Sequence, residues 1–364
     1  MATPKRRKPK ATVTASRKVA SPTASRKQEH LDLCLKRDVA STHTAGWDEV
    51  PLPHRALPEI SFDNIDLDTR FLGEDFAAPF LVSSMTGGSR AGDALNVRLA
   101  RFAQQARIPM GVGSQRFAVE ARKSGKARDP SASALRKAAP KAVLYANIGI
   151  VQFNYGFSVD DAAWLVDTLE ARALILHANP LQEAIQAEGD RDFSGLFRRL
   201  TEVKKRVTVP IILKETGCGL DLLSCRRARE AGVDAIDVAG LGGTHWGFIE
   251  GLRSPNRRAL GEIFRNWGIP TAQALSEARA LLGPEFPIIA SGGVRHGLDA
   301  AKAIYLGADL VGMALPFLKA AQEGDKALED FFKLHCEALK TAFFCTGHTS
   351  AAELAASFSG GNAS

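Results

Sequence analysis

The feature that most constrains this chain is an alternation of two patterns. From about residue 76 onward, short apolar and β-branched runs recur at Phe80–Ser84, Met110–Ser114, Ala142–Asn147, Ala173–His177, Pro210–Lys214, Ala235–Val238, Pro287–Ser291 and Asp309–Met313. Between most of them lie stretches with apolar residues spaced three and four apart, among them 94–106, 160–169, 193–205, 222–231 and 298–306. Strands alternating with helices imply parallel βαβ units, and eight such units are the number that closes a (β/α)8 TIM barrel. A doubly wound open sheet is the rival. Its phosphate-binding turn belongs after the first strand, where Gly87-Gly88 sits without the G-x-G-x-x-G spacing.

Composition narrows the classes further. With 45% hydrophobic and 24% charged residues the chain is a globular protein. No run approaches the roughly 18 apolar residues of a membrane-spanning helix, so a cytoplasmic protein with no membrane association is expected. The net charge of +7 belongs to one end: residues 1–28 carry nine Lys/Arg and no acid, leaving 38 basic against 40 acidic side chains elsewhere. A nearly neutral body argues against a nucleic-acid groove. Residues 1–25 read as a disordered basic tail, 26–350 as a single barrel domain and 351–364 as a C-terminal tail. Five cysteines without a CxxC pair suggest reduced thiols and no zinc site. Cys218, between Gly217 and Gly219, is the one candidate for a reactive thiol.

Barrel enzymes place their chemistry at the C-terminal ends of the strands. Here nearly every such end is Gly-rich or polar: Ser84 to Gly88, Gly113 to Arg116, Asn147 to Gly149, His177 to Glu183, Lys214 to Gly217, Gly240 to Thr244, Ser291 to Arg295 and Gly312 to Leu315. Ser291-Gly292-Gly293 and Gly312-Met313-Ala314 end the seventh and eighth runs, where phosphate-binding barrels present backbone N–H groups, and Arg295 adds a charge. Lys214 has two readings: a contact to a cofactor ring, or an ion pair with no chemical role. Glu183 shares the mouth with the phosphate site, and a lone carboxylate plus substrate phosphates is a common way to hold Mg²⁺; Glu188 and Asp190 compete for that role. The cluster Arg26-Lys27-x-x-His30 and Arg116 either face solvent or bind a second anionic group. The long interval from Gly240 to Phe286 is expected to build part of the site wall.

Taken together, the motifs RKQEH (26–30), SMTGG (84–88), GSQR (113–116), NIG (147–149), HANPLQEAIQAEGD (177–190), KETGCG (214–219), DVAGLGGT (237–244), WGI (267–269), SGGVR (291–295) and GMALPFL (312–318) are collinear. In this the sequence resembles the type 2, FMN-dependent isopentenyl diphosphate isomerases. The resemblance implies a flavin-carrying barrel that interconverts isopentenyl and dimethylallyl diphosphate with reduced FMN, Mg²⁺ and NADPH as reductant. It implies FMN contacts at Met85, Thr86, Gly87, Ser114, Asn147, Lys214, Thr244, Gly292, Gly293, Val294, Arg295, Met313 and Ala314. Ala239 stands where relatives often carry a hydroxyl. Substrate contacts are implied at Arg26, Lys27, Ser114, Gln115, Arg116 and Gln182, with His177, Asn179 and Gln182 as the catalytic groups and Glu183 as the Mg²⁺ ligand. The family also implies a homo-oligomer, a tetramer or octamer.

The chemistry is consistent with that resemblance. Moving a double bond by one carbon adds a proton at one end of an alkene and removes one at the other, with no net redox. An electron-rich reduced flavin beside the alkene can stabilise the charge that develops. Three other readings remain: an FMN-dependent hydroxy-acid oxidase or dehydrogenase, a flavin-free barrel acting on sugar phosphates, and a nucleic-acid role for the tail.

Overall fold

In the computed structural model, which describes residues 22–85, 87–125 and 130–358, the chain builds a plug before it builds its barrel. Strands β1 (Thr69–Phe71) and β2 (Glu74–Phe76) pair antiparallel across Leu72 and Gly73, both with left-handed backbone (φ 49° and 87°). A two-residue turn of that hand matches the twist of the strands it joins. Phe71 and Phe76 are buried in one cluster with Leu81, Tyr145, Ile175, Ile212, Ile289 and Leu310, which lie at or near the N-terminal ends of barrel strands. The hairpin therefore closes the end of the barrel away from the site. Nothing in the sequence pattern marks it, because Leu-Gly lacks the Asn-Gly signature of such turns.

The eight expected runs all form strands: β3 (Phe80–Val82), β4 (Met110–Gly111), β5 (Leu144–Gly149), β6 (Ala173–His177), β7 (Ile211–Lys214), β8 (Ala235–Asp237), β9 (Ile288–Ser291) and β10 (Leu310–Met313). They pair in parallel and close through β10 against β3, which rejects the open sheet. Strand boundaries differ from the expected ones by up to three residues. Regular β4 ends at Gly111, yet Val112 N still donates to Tyr145 O and Gln115 N to Asn147 O, both crossing to β5. The chain turns there because Gln115 begins the helix Arg116–Lys123.

The crossover helices start where capping chemistry is present. Ser89 accepts from Gly92 N at the head of Arg90–Ala106, and Asp221 accepts from Ser224 N ahead of Leu222–Glu230. Ser158 and Asp161 form a reciprocal capping box at Val159–Leu169. Side chains level with each other on neighbouring parallel strands share a face. The register Gly149↔His177↔Lys214↔Asp237 thus places one residue from each of β5 to β8 in a single layer at the C-terminal mouth.

Both ends of the chain differ from the expected domain limits. The N-terminal helix begins at Pro22, four residues inside the segment read as a tail, and residues 1–21 lie outside the described residues. At the other end Ala351–Ala356 is a helix with Leu354 fully buried, and Phe358 stacks edge-on against Tyr305 at 5.1 Å. That segment adds apolar area to the barrel and is no tail up to Phe358. Residues 359–364 lie outside the description. Among the described residues no helix is long and apolar enough to cross a membrane.

Candidate active site

The mouth holds two cavities that share Ser84, Met85, Lys214, Thr216 and Trp246 as a common wall. The larger, about 370 Å³, is framed by the ends of β7 to β10 and is lined by Gly217, Gly242, Gly243, Gly292, Gly293 and Gly312 among other residues. Gly292 and Gly293 both have left-handed φ (103° and 64°), and a Cβ on Gly243 would stand 2.6 Å from Gly293 N. Two loops can approach this closely only without side chains. Beneath them Lys214 Nζ lies 3.1 Å from Asp237 Oδ2, and Ser291 Oγ donates to Asp237 Oδ1 at 2.6 Å. Lys214 is thus ion-paired and also lines the cavity. Ala239, on the same rim, takes a left-handed φ of 41°, unusual for a residue with a Cβ.

The hydroxyls of Ser83 and Ser84 are buried with no hydrogen-bond partner. An unpaired buried donor is costly, so these atoms await a ligand or water. Glycine loops offering N–H groups, a lysine on one edge and two waiting hydroxyls are a set that fits a flavin mononucleotide.

The smaller cavity, about 150 Å³, is built from charged and amide side chains. Arg26 and Lys27 reach it from the N-terminal helix, and Lys27 Nζ donates to Ser114 O at 2.9 Å. Lys27 has no carboxylate at ion-pair distance among the described residues. Desolvation, partly offset by Asp93, pushes its pKa down to about 8. Arg116 is held by Glu120 (2.8 Å) and Asp190 (2.5 Å).

His177 sits at the end of β6 with Nδ1 2.8 Å from Asn147 Oδ1. The Asn147 amide nitrogen is already donating to Val112 O, so its oxygen must accept and Nδ1 of His177 must carry the proton. Nε2 then presents a lone pair. Desolvation, reinforced by the charges of Lys214 and Lys27, lowers the His177 pKa to about 3. The ring is neutral at any working pH and is no imidazolium acid.

Asn179, Gln182 and Glu183 follow on the loop and short helix after β6. Asn179 Nδ2 donates to Gln182 Oε1 (3.1 Å) and to Glu183 Oε1 (2.9 Å), while Asp190 N donates to Glu183 Oε2 (2.7 Å). Burial raises the Glu183 pKa in spite of those donors. The oxygens Asn179 Oδ1 and Gln152 Oε1 are buried and unpartnered, and both residues line this cavity. A carboxylate and two waiting amide oxygens suit a hard cation with its bound waters. Among the described residues no group of three or more His, Cys, Asp and Glu could hold a metal ion without other ligands.

Sequence reasoning missed Glu250. It lies on the helix Trp246–Arg253, in the long interval after β8, and is 2% exposed. Its Oε1 accepts from Gln182 Nε2 at 2.9 Å and lies 2.8 Å from His30 Nε2. Gln186, in the amide orientation that satisfies both ends, donates to the same oxygen (3.0 Å) and accepts from Arg26 (3.1 Å). Desolvation works to raise the Glu250 pKa, but His30, Gln182 and Arg253 outweigh it and hold the group below the usual carboxylate range. The only signal in the sequence was the length of the interval. Glu215 was also missed: one of its oxygens gathers the N–H groups of Thr216, Gly217, Cys218 and Gly219, shaping the loop of the shared wall.

Most anticipated site residues converge on the two cavities. Met85, Lys214, Thr244, Gly292, Gly293, Val294, Arg295, Met313 and Ala314 line the larger cavity, whereas Gly87, Ser114 and Asn147 line the smaller. Thr86 lies outside the described residues. Gln115 lines neither cavity; its side-chain oxygen accepts from Asn147 N at 3.1 Å and ties β4 to β5. The Arg295 guanidinium is engaged by Asp299 (2.9 Å) and Asp48 (3.0 Å), so its charge is already neutralised. Burial raises the Cys218 thiol pKa, which removes it as a reactive thiolate, and all five cysteines are free.

A family model described as FMN-dependent dehydrogenase matches residues 30–132 and 151–359. An isopentenyl-diphosphate delta-isomerase from Nostoc is 46% identical over 335 residues, covering 91% of this chain and 94% of its own length. Proteins of the same name from Synechococcus and Xanthobacter autotrophicus are each 48% identical over 324 residues, covering 88% of this chain and 91% and 93% of theirs. Among solved structures, the flavin-binding domain of baker's yeast flavocytochrome b2 superposes with a TM-score of 0.65 at 19% identity, covering 87% of this chain and 79% of that one. A mandelate oxidase variant with a monooxide FMN adduct gives 0.62 at 16% identity, with 89% and 93% covered. At those identities the structural likeness concerns the fold alone.

Proposed function

This chain belongs to the type 2, FMN-dependent isopentenyl-diphosphate delta-isomerases, and from that premise we propose that it interconverts isopentenyl and dimethylallyl diphosphate using reduced FMN, with Mg²⁺ on the diphosphate and NADPH as the reductant of the flavin. The observation that carries the reading is the shared wall. A glycine-rich cavity that fits a flavin meets, across Met85, Lys214 and Trp246, a cavity whose side chains suit a diphosphate and its cation.

Arg26 and the unpaired Lys27 anchor the diphosphate, with Arg116, ion-paired to Glu120 and Asp190, a further hydrogen-bond donor beside them, so the substrate is fixed by contacts remote from the reacting carbons. Glu183, with the unpartnered amide oxygens of Asn179 and Gln152 beside it, would hold the Mg²⁺, which would neutralise charge on the diphosphate. When bound, the reduced flavin supplies an electron-rich ring and a titratable site beside the alkene. The protein orients both partners. Asn179 and Glu250 clamp the Gln182 amide from its two ends, so it faces the substrate in one orientation. His177 keeps its Nε2 lone pair available as an acceptor, and Arg26, Lys27, His30 and Leu31 of the N-terminal helix line the cavity. A proton enters at the terminal alkene carbon and another leaves the carbon next to the oxygen-bearing one.

The test is anaerobic incubation with isopentenyl diphosphate, FMN, NADPH and Mg²⁺ in D₂O, followed by NMR. Deuterated dimethylallyl diphosphate, formed only while the flavin is reduced, is the expected product. A protein that binds and reduces FMN yet leaves the alkene untouched overturns this reading and favours net electron transfer to or from a hydroxy acid.

A further inference from the structure

Three cations line the larger cavity: Lys214, Arg295 and Lys319. The first two are neutralised by Asp237 and by the pair Asp48 and Asp299. Lys319 has no carboxylate at ion-pair distance among the described residues. It lies one turn into the helix Leu315–Glu323, whose first turn contains no acidic residue. Lys319 is exposed and lines the same cavity as Met313 and Ala314, the residues just before that helix, and a helical side chain leans towards its N-terminus. Ala314, Leu315 and Pro316 at the start of that helix line the same cavity, so its positive dipole end favours an anion there. The same cavity contains the Ser83 hydroxyl, only 6% exposed and without a partner, which independently indicates a ligand.

We propose that Lys319 is the side-chain cation for the terminal phosphomonoester of the flavin, and that it makes the site prefer FMN over the unphosphorylated vitamin. The backbone N–H groups of the glycine loops bind the phosphate oxygens, while Lys319 supplies the charge that Arg295, already paired, does not. The inference rests on the flavin reading given above.

Flavin-depleted full-length protein is titrated with FMN and with riboflavin, following quenching of flavin fluorescence. Wild-type protein is expected to bind FMN the more tightly. Lys319→Met should weaken FMN by about tenfold, the scale of one exposed charge-assisted contact, and leave riboflavin unchanged. Lys319→Arg should restore the preference. An unchanged FMN Kd in Lys319→Met, or an equal loss for both flavins, overturns the role of Lys319. Failure of the wild-type protein to bind either flavin overturns the flavin reading itself.

Discussion

The two halves of the mouth solve opposite problems with opposite materials. The half from β7 to β10 is rich in glycine: four of them, Gly242, Gly243, Gly292 and Gly293, line the cavity and let its loops come into contact, which exposes backbone where side chains would otherwise stand. The half reached by β5, β6 and the N-terminal helix is assembled from side chains, where Asn179, Gln182, Glu183 and Glu250 bond to one another and the oxygens of Asn179 and Gln152 are left unpaired. Backbone donors cannot titrate or change rotamer, which suits a group that stays bound. Side-chain donors can exchange partners, which suits a substrate that arrives and leaves with a metal ion. Retention and turnover thus have separate addresses in this barrel, and substitutions should separate them.

The sharpest way to break this division is Gly292→Ala. Its left-handed φ and the Gly240 carbonyl against the new Cβ leave no space, so the purified protein should contain essentially no flavin by absorbance. Full flavin content in that variant would refute the backbone account. Gln182→Ala should leave flavin content intact and lower kcat about a hundredfold, the scale of a group placed at a proton transfer. A rise in KM with unchanged kcat would make Gln182 an anchor and nothing more.

Glu183→Gln should act chiefly on binding, raising both the Mg²⁺ requirement and KM by about tenfold while flavin remains. Isothermal titration with Mg²⁺ and a substrate analogue checks this directly. A smaller effect comes from Lys27. Its pKa is lowered to about 8, so the free protein loses that cation as pH rises through 8. Binding of a diphosphate favours the charged form, hence KM should climb above pH 8, by no more than about tenfold per unit. Lys27→Met should start from a higher KM and show no such climb. The smallest effect is expected for Cys218→Ser, which should be silent in kcat, KM and flavin content.

Much of the fold and part of the site are legible in the amino-acid pattern. Eight apolar runs of strand length, separated by three- and four-spaced helices, specify a parallel sheet covered on both faces, and the count of eight favours the barrel that the closure of β10 on β3 then establishes over an open sheet. Position along the barrel then assigns chemistry: residues at strand ends have to meet, so periodicity alone picks out His177, Lys214 and the Ser291-Gly292-Gly293 turn. The closing hairpin is invisible, since its Leu-Gly turn has no compositional mark and its phenylalanines look like any core residues. The C-terminal helix is hidden for a similar reason: one buried leucine among alanines is too weak a pattern.

What the sequence could not contain was partnership. That Arg295 answers to Asp48 and Asp299, that Gln115 binds backbone and leaves the cavity to others, and that His30, Gln182 and Gln186 converge on Glu250 are facts about residues up to 247 positions apart. Local propensity and hydrophobic period act over a few residues and therefore determined the strands, the helices and the order in which they close. Charge pairing and hydrogen bonding act over a few ångströms whatever the separation along the chain. Which polar groups are spent on the protein, and which are left for a ligand, was therefore decided only when the barrel closed.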